Sequence, residues 1–259
     1  MDKLFLIAGP CLLEDKETAL SIAKTVKAIC DELNIDYIFK ASYRKANRSS
    51  LDSFTGIGDE EALQIIAEIG REVGVPTITD VHESHEPELA ARYVDYLQIP
   101  AFLCRQTDLL LACGRTGKGI NLKKGQFVSP EAMSFALNKV LSTGNKKVWL
   151  CERGFTFGYN DLVVDATAIA RLKKHGVPVV MDCTHSVQKP NLSAGITGGD
   201  PSMIETITLS AIATGADGLF LEVHPNPSIA KSDSQTMLQV DKLKPILVKA
   251  LKIRKALAK

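Results

Sequence analysis

The sequence predicts a single-domain (β/α)8 barrel, the TIM-barrel class of α/β fold, over residues 1–259. Three observations predict it. Short apolar, β-branched runs recur about every thirty residues, as buried parallel strands do. Apolar stripes at a 3.6-residue period fill the gaps between them. The first run ends in Gly9-Pro10-Cys11, and the chain carries neither a Gly-x-Gly-x-x-Gly nor a Walker A motif, which an open doubly wound sheet usually shows there. Strand and helix alternating eight times in this length is the arithmetic of a closed barrel.

The strands are predicted at 4–9, 37–42, 75–81, 96–100, 119–123, 147–151, 177–183 and 217–223. Between the first two, Ala19, Ile22, Ala23, Val26, Ile29, Cys30 and Leu33 form one stripe of a helix over 17–33. Leu63, Ile66, Ile69, Gly70 and Val73 do the same over 59–73, with Gly74 as its stop. Ser129-Pro130-Glu131 is a helix start, with a cap residue, a proline at the first helical position and an acid in the first turn. Further helices are expected at 86–93, 106–114, 161–175, 202–214 and 241–258. Trp149 is expected on the outer face of its strand, and His82 and His85 as cap or surface residues.

Composition narrows the function. The chain has 31 Lys and Arg against 30 Asp and Glu, a formal net charge of +1, so broad attraction to nucleic acid or anionic membrane is not expected. The apolar run Leu4 to Ala8 is shorter than the roughly 7–15 residues of a signal peptide and far short of the roughly 20 of a membrane span. Six scattered cysteines without a Cys-x-x-Cys fit a reduced, cytoplasmic protein.

The chemistry lies at the strand ends, because barrel enzymes build their sites on the C-terminal rim. Taken singly, each rim residue is an ordinary solvated loop side chain. Together they make two clusters. Lys40, Lys45, Lys123, Lys124 and Arg153, with Arg48 nearby, suit a ligand bearing phosphate and carboxylate. Cys11, His185, Glu222 and Asp233 come from the first, seventh and eighth strand ends, which barrel closure brings together. Thiol, imidazole and carboxylate are ligands for Zn²⁺ or Fe²⁺. On spacing alone, His185 equally fits a backbone hydrogen bond and Cys11 a small core residue.

A longer set of motifs carries a resemblance. Lys45-Ala46-Asn47-Arg48-Ser49-Ser50, Gln98-Ile99-Pro100-Ala101-Phe102-Leu103-Cys104-Arg105-Gln106-Thr107-Asp108, Lys123-Lys124-Gly125-Gln126-Phe127, Glu152-Arg153-Gly154 and Thr184-His185-Ser186-Val187-Gln188 together resemble the 3-deoxy-D-manno-octulosonate 8-phosphate synthases, over essentially the whole chain. The resemblance implies a (β/α)8 barrel, usually a homotetramer. It implies condensation of phosphoenolpyruvate with arabinose 5-phosphate and water, releasing phosphate, with a product that feeds the inner core of lipopolysaccharide. By motif, Lys124 and Arg153 would hold phosphoenolpyruvate, with Lys40, Lys45 and Gln98 lining the same pocket. Asn47 and Asp80 would face the sugar and the reacting centre. Arg48 and Ser49 would grip the sugar phosphate in a neighbouring subunit's site. Lys45, Asp80 and His185 are the candidate proton carriers.

The family divides into a metal-free class with Asn at the position of Cys11 and a metal-dependent class with Cys. The resemblance therefore implies a divalent ion (Zn²⁺, Fe²⁺, Mn²⁺ or similar) on Cys11, His185, Glu222 and Asp233, and no organic cofactor. One departure stands out. Asp200-Pro201 follows the paired glycines of the loop after strand seven, where the family usually has an arginine. Two rival functions share the barrel. The 3-deoxy-arabino-heptulosonate 7-phosphate synthases normally carry Lys-Pro-Arg-Thr in the loop that reads Lys45-Ala46-Asn47-Arg48 here. A non-catalytic sugar-phosphate-binding barrel would not need the complete rim.

Overall fold

The computed structural model describes residues 3–47, 53–157, 161–189 and 198–258, apart from the side chain of Asp161. Eight parallel strands stand side by side in chain order: β1 (Phe5–Gly9), β2 (Asp36–Lys40), β3 (Thr77–Asp80), β4 (Tyr96–Ile99), β5 (Gly119–Lys123), β6 (Val148–Glu152), β7 (Val179–Asp182) and β8 (Gly218–His224). The ring closes because β1 pairs with β8 as well as β2, Phe5 lying opposite Gly218 and Gly9 opposite Glu222. The helices outside it are α1 (Lys16–Leu33), α2 (Asp59–Val73), α3 (Glu86–Ala90), α4 (Thr107–Arg115), α5 (Met133–Leu141), α6 (Ala168–Lys173), α7 (Ile204–Ala213) and α8 (Leu243–Leu257). This is the closed parallel barrel that the alternating pattern predicts.

Strand parity divides the core in two. Leu6, Phe39, Leu97, Leu122, Leu150 and Leu221 face outward and join the stripes of the helices in one large cluster. Phe5, Ile7, Ile38, Ile78, Trp149, Cys151, Val180 and Phe220 fill the barrel itself, with Tyr96 packed against them. Trp149 is therefore interior, not on the outer face. Its ring stacks on Tyr96 at 4.6 Å and tilts against Phe5 at 4.7 Å. Two glycines make room for these rings. A Cβ at Gly119 would lie 2.1 Å from Tyr96, and one at Gly218 would lie 2.4 Å from Phe5. This floor of rings supports the polar layer above it.

Helix ends follow local chemistry. Asp15 accepts the Thr18 N–H at 2.7 Å to start α1, and Gly74, at φ 71°, stops α2 where predicted. Elsewhere the boundaries differ. The Ser129 hydroxyl accepts the Ala132 N–H at 3.2 Å, but this closes a turn, and α5 begins only at Met133. The helix expected over 161–175 shortens to α6, because Asp161–Val163 pairs antiparallel with Phe155–Phe157 as a hairpin beyond β6. Two further short pairings edge the rim: Gln188–Lys189 with Gly198–Gly199, and Leu238–Gln239 with β8.

Candidate active site

Lys40, Asp80, Gln98, Asp182 and Glu222 each follow, by two residues, a side chain of the interior cluster: Ile38, Ile78, Tyr96, Val180 and Phe220. The pleat thus turns all five into the barrel mouth, one layer above the rings. There Lys40, Asp80, Gln98 and Glu222 line, with others, a cavity of about 430 Å³ at the C-terminal ends of the strands, and Asp182 holds Lys123 in its wall. Its walls carry five cationic side chains, Lys40, Lys45, Lys123, Arg153 and Lys231, against the carboxylates of Asp80, Glu222 and Asp233. A chain with net charge +1 therefore concentrates two excess positive charges in this one recess.

Lys40, Lys123, Arg153, Asp80 and Glu222 are buried, and each is hydrogen-bonded or ion-paired. The Lys40 ammonium donates to Glu222 Oε1 at 2.6 Å and to the Cys11 carbonyl at 2.9 Å. Lys123 donates to Asp182 Oδ2 at 2.6 Å and sits 3.9 Å from the Phe220 ring centroid. Asp80 accepts from the Ser42 hydroxyl and the Gln98 amide, and Asn121 donates to Gln98 Oε1 at 2.8 Å. Burial alone would raise the pKa of Asp80, but Lys40, Lys45 and Lys123 hold it well below the usual carboxylate range. Lys45, 4.0 Å from Asp80, keeps its proton: burial opposes its charge, and the surrounding carboxylates of Glu222, Asp80 and Asp233 outweigh that.

Arg153 is 4% exposed and not the solvated rim charge its position suggests. It donates to the His185 carbonyl at 2.8 Å and to Gln188 Oε1 at 2.6 Å. Lys123 faces the cavity, whereas Lys124 turns to the Gly154 carbonyl at 3.1 Å and stands 3.3 Å from Glu152 Oε1. Asn47 lines the cavity from the segment after β2. Arg48 and Ser49 lie outside the described residues. Asp200, in the departing loop, engages the hydroxyl and N–H of Ser202 and does not line the cavity.

The second cluster also assembles. Ligand atoms of Cys11, Glu222 and Asp233 lie within 4.8 Å of one another. His185 Nε2 stands 3.7 Å from Glu222 Oε2 and 3.6 Å from Asp233 Oδ2. Two features fit this set to a divalent cation. Glu222 Oε2 is buried with no hydrogen-bond partner among the described residues, an acceptor left open toward the cluster. Asp233 carries the second carboxylate of the set, its Oδ2 3.6 Å from His185 Nε2, so two anionic oxygens, a thiol and an imidazole face one point. Burial, then the charges of Asp233 and Glu222, push the Cys11 thiol up, so it stays protonated and donates to Asp233 at 3.3 Å. Burial would lower the His185 pKa, but Asp182 overrides it and raises it.

Asp182 is the functional residue that motif reasoning left out. It is fully buried and accepts His185 Nδ1 at 2.8 Å, Lys123 at 2.6 Å and the His185 backbone N–H at 2.8 Å. One carboxylate thus orients the His185 ring, leaving Nε2 for the cluster, and holds a cation of the other cluster. Its parity with Val180 was the available signal. His82, expected at the surface, is 9% exposed and lines the cavity.

A parallel (β/α)8 barrel with buried cations and a thiol–imidazole–carboxylate cluster on its C-terminal rim is an enzyme of the anionic-substrate kind. Residues 1–258 match the DAHP synthetase I family, and the chain belongs to it. Its relatives include the 2-dehydro-3-deoxyphosphooctonate aldolase of Koribacter versatilis (strain Ellin345), 50% identical over 259 residues, covering 98% of this chain and 92% of that protein. Proteins of the same name from Fusobacterium nucleatum, 48% identical over 98% of this chain and 91% of that protein, and from Geobacter sulfurreducens, 44% identical over 99% and 94%, are similarly related.

Proposed function

We propose that this enzyme condenses phosphoenolpyruvate with D-arabinose 5-phosphate and water to give 3-deoxy-D-manno-octulosonate 8-phosphate and inorganic phosphate, for lipopolysaccharide biosynthesis. The observation that carries this reading is the single cavity in which buried cations adjoin the Cys11, His185, Glu222 and Asp233 cluster. The shared name of the relatives supports the eight-carbon product over a seven-carbon one. The whole chain acts as one barrel domain.

Phosphoenolpyruvate lies against Lys123 and Arg153, with Lys40, Lys45 and Gln98 beside it. Lys124 holds the turn of Glu152 to Gly154 that presents Arg153. Asn47 and Asp80 face the sugar. Carbon 3 of phosphoenolpyruvate bonds to the aldehyde carbon, water adds at carbon 2, and the carbon–oxygen bond to phosphate breaks. Lys45, kept protonated, gives its proton to the new alkoxide. Asp80, kept ionised, takes the proton the water loses on adding and passes it to Lys45; the second proton of the water leaves with the phosphate as carbon 2 becomes the carbonyl. His185, fixed by Asp182, serves the metal cluster. Holding both substrates in register supplies roughly 7–11 kcal/mol of the barrier reduction. Cys11, His185, Glu222 and Asp233 would hold a divalent ion (Zn²⁺, Fe²⁺ or Mn²⁺), whose charge would polarise oxygen.

The assembly is a homotetramer in which Arg48 and Ser49 reach the sugar phosphate in a neighbouring site. The setting is the cytoplasm. Supporting this, all six cysteines are unpaired and buried, and no helix among the described residues is long and apolar enough to cross a membrane. The test is a reaction in ¹⁸O-labelled water. Phosphate release that requires both substrates and yields unlabelled phosphate supports the reading. Labelled phosphate, or release without the sugar phosphate, overturns it.

A further inference from the structure

We infer that Glu86, in the first turn of α3, is a positioning residue for the sugar side of the cavity: its carboxylate ties the segment after β2 to the segment after β3. The inference rests on the proposed reaction and adds to it a residue that does not itself line the cavity.

Glu86 is 5% exposed. Its Oε2 accepts the Tyr43 hydroxyl at 2.7 Å and the His82 backbone N–H at 2.7 Å, and its Oε1 accepts the Arg44 guanidinium. Tyr43 and Arg44 are the two residues immediately before Lys45. Tyr43 is itself buried, its N–H donating to Thr79 Oγ1 at 3.2 Å. Arg44 extends the link to Asp59 at the start of α2, 3.4 Å away. Lys45 is held from the far side, its N–H donating to the Thr55 carbonyl at 2.9 Å. One carboxylate therefore gathers three donors from two rim segments, and those segments present Lys45 and Asn47 on one side and Asp80 and His82 on the other.

The ordinary explanation for an acid in a first helical turn is the helix dipole, which a solvated side chain satisfies. Such an acid needs neither Tyr43 nor Arg44. A desolvated carboxylate persists only where donors replace its water, and here all of them come from the segments that frame the cavity. Burial would raise the Glu86 pKa, but the bonds from His82 and Tyr43 outweigh it and bring it to about 2.

The test uses the full chain with Glu86→Ala, Glu86→Gln and the double variant Tyr43→Phe/Arg44→Met, which leaves Glu86 in place without its two side-chain donors. Loosening Lys45 and Asn47 should raise KM for arabinose 5-phosphate and lower kcat, by roughly 10- to 100-fold together. KM for phosphoenolpyruvate should rise several-fold less than that for arabinose 5-phosphate, since of the residues beside phosphoenolpyruvate only Lys45 is loosened, and Lys123 and Arg153 stand on β5 and beyond β6. Glu86→Gln, which retains acceptors for Tyr43 and His82, should be milder than Glu86→Ala. Amide exchange in 43–47 and 53–58 should accelerate in every variant. Folded variants with wild-type kinetics and exchange, or with equal rises in both KM values, overturn the inference. Should Glu86→Ala not fold, the double variant must show the same split. A wild-type chain inactive with this substrate pair would instead overturn the reaction, while the exchange comparison still decides the tether.

Discussion

Replacing Asp182 by Asn removes one charge from the carboxylate that joins the two halves of the site. Asp182 and Lys123 are 2.6 Å apart, and both are buried. At an effective dielectric of about 20, that separation corresponds to a gross attraction of about 6 kcal/mol. Desolvation offsets much of it, but removing one partner strands the other, and broken buried pairs cost about 3–5 kcal/mol. Asp182→Asn should therefore lower the unfolding free energy by about 3–5 kcal/mol in urea at pH 7. Lys123→Met in the same chain should restore part of it, because the stranded ammonium is gone. The freed His185 ring should weaken metal binding by about 10- to 100-fold, read by titration calorimetry. Asp182→Asn within about 0.5 kcal/mol of wild type, or strictly additive effects in the double variant, would refute the coupling.

Arg153→Ala should weaken phosphoenolpyruvate binding by roughly 10- to 200-fold in calorimetry, the loss of one charge-assisted contact; it should also destabilise the fold measurably, since Gln188 and the His185 carbonyl lose their donor. Chelation should abolish turnover, and added Mn²⁺, Fe²⁺ or Zn²⁺ should restore some, while the urea unfolding curve keeps its single transition; Co²⁺ should give a thiolate charge-transfer band that Cys11→Ser removes. The folded pKa of Glu86 is lowered from 4.5 to about 2, so its contribution is present above pH 4.5 and lost as pH falls toward 2. The stability gap between wild type and Glu86→Gln should accordingly shrink by about 3 kcal/mol over that window, measured by denaturant unfolding at each pH. Gly119→Val should destabilise by about 1–3 kcal/mol, because its Cβ would meet the Tyr96 ring; an unchanged midpoint would contradict the ring packing.

The barrel was legible because its signals are local and repeated. The stripe of Ala19, Ile22, Ala23 and Val26 and the stop at Gly74 need no tertiary information. What escaped depended on contacts between distant segments. Pairing of Phe155–Phe157 with Asp161–Val163 overrode a helix that local pattern favoured. Trp149 was misplaced because a fully buried strand shows little alternation, and only the glycines opposite its neighbours reveal the inward face. The rim residues could be listed from strand ends, but their pairing could not. Which of Lys123 and Lys124 faces the cavity turns on one step of parity, and the joining role of Asp182 appears only when β5, β7 and the His185 turn meet.

The claim that one cavity joins phosphoenolpyruvate to a five-carbon sugar phosphate is tested most directly by competition. Equimolar arabinose 5-phosphate and erythrose 4-phosphate are supplied with limiting phosphoenolpyruvate to the metal-loaded enzyme, and the products are resolved by mass. The account predicts that the eight-carbon phosphorylated acid predominates and accounts for the phosphate released. Predominance of the seven-carbon acid, or consumption of phosphoenolpyruvate with neither product, would contradict it.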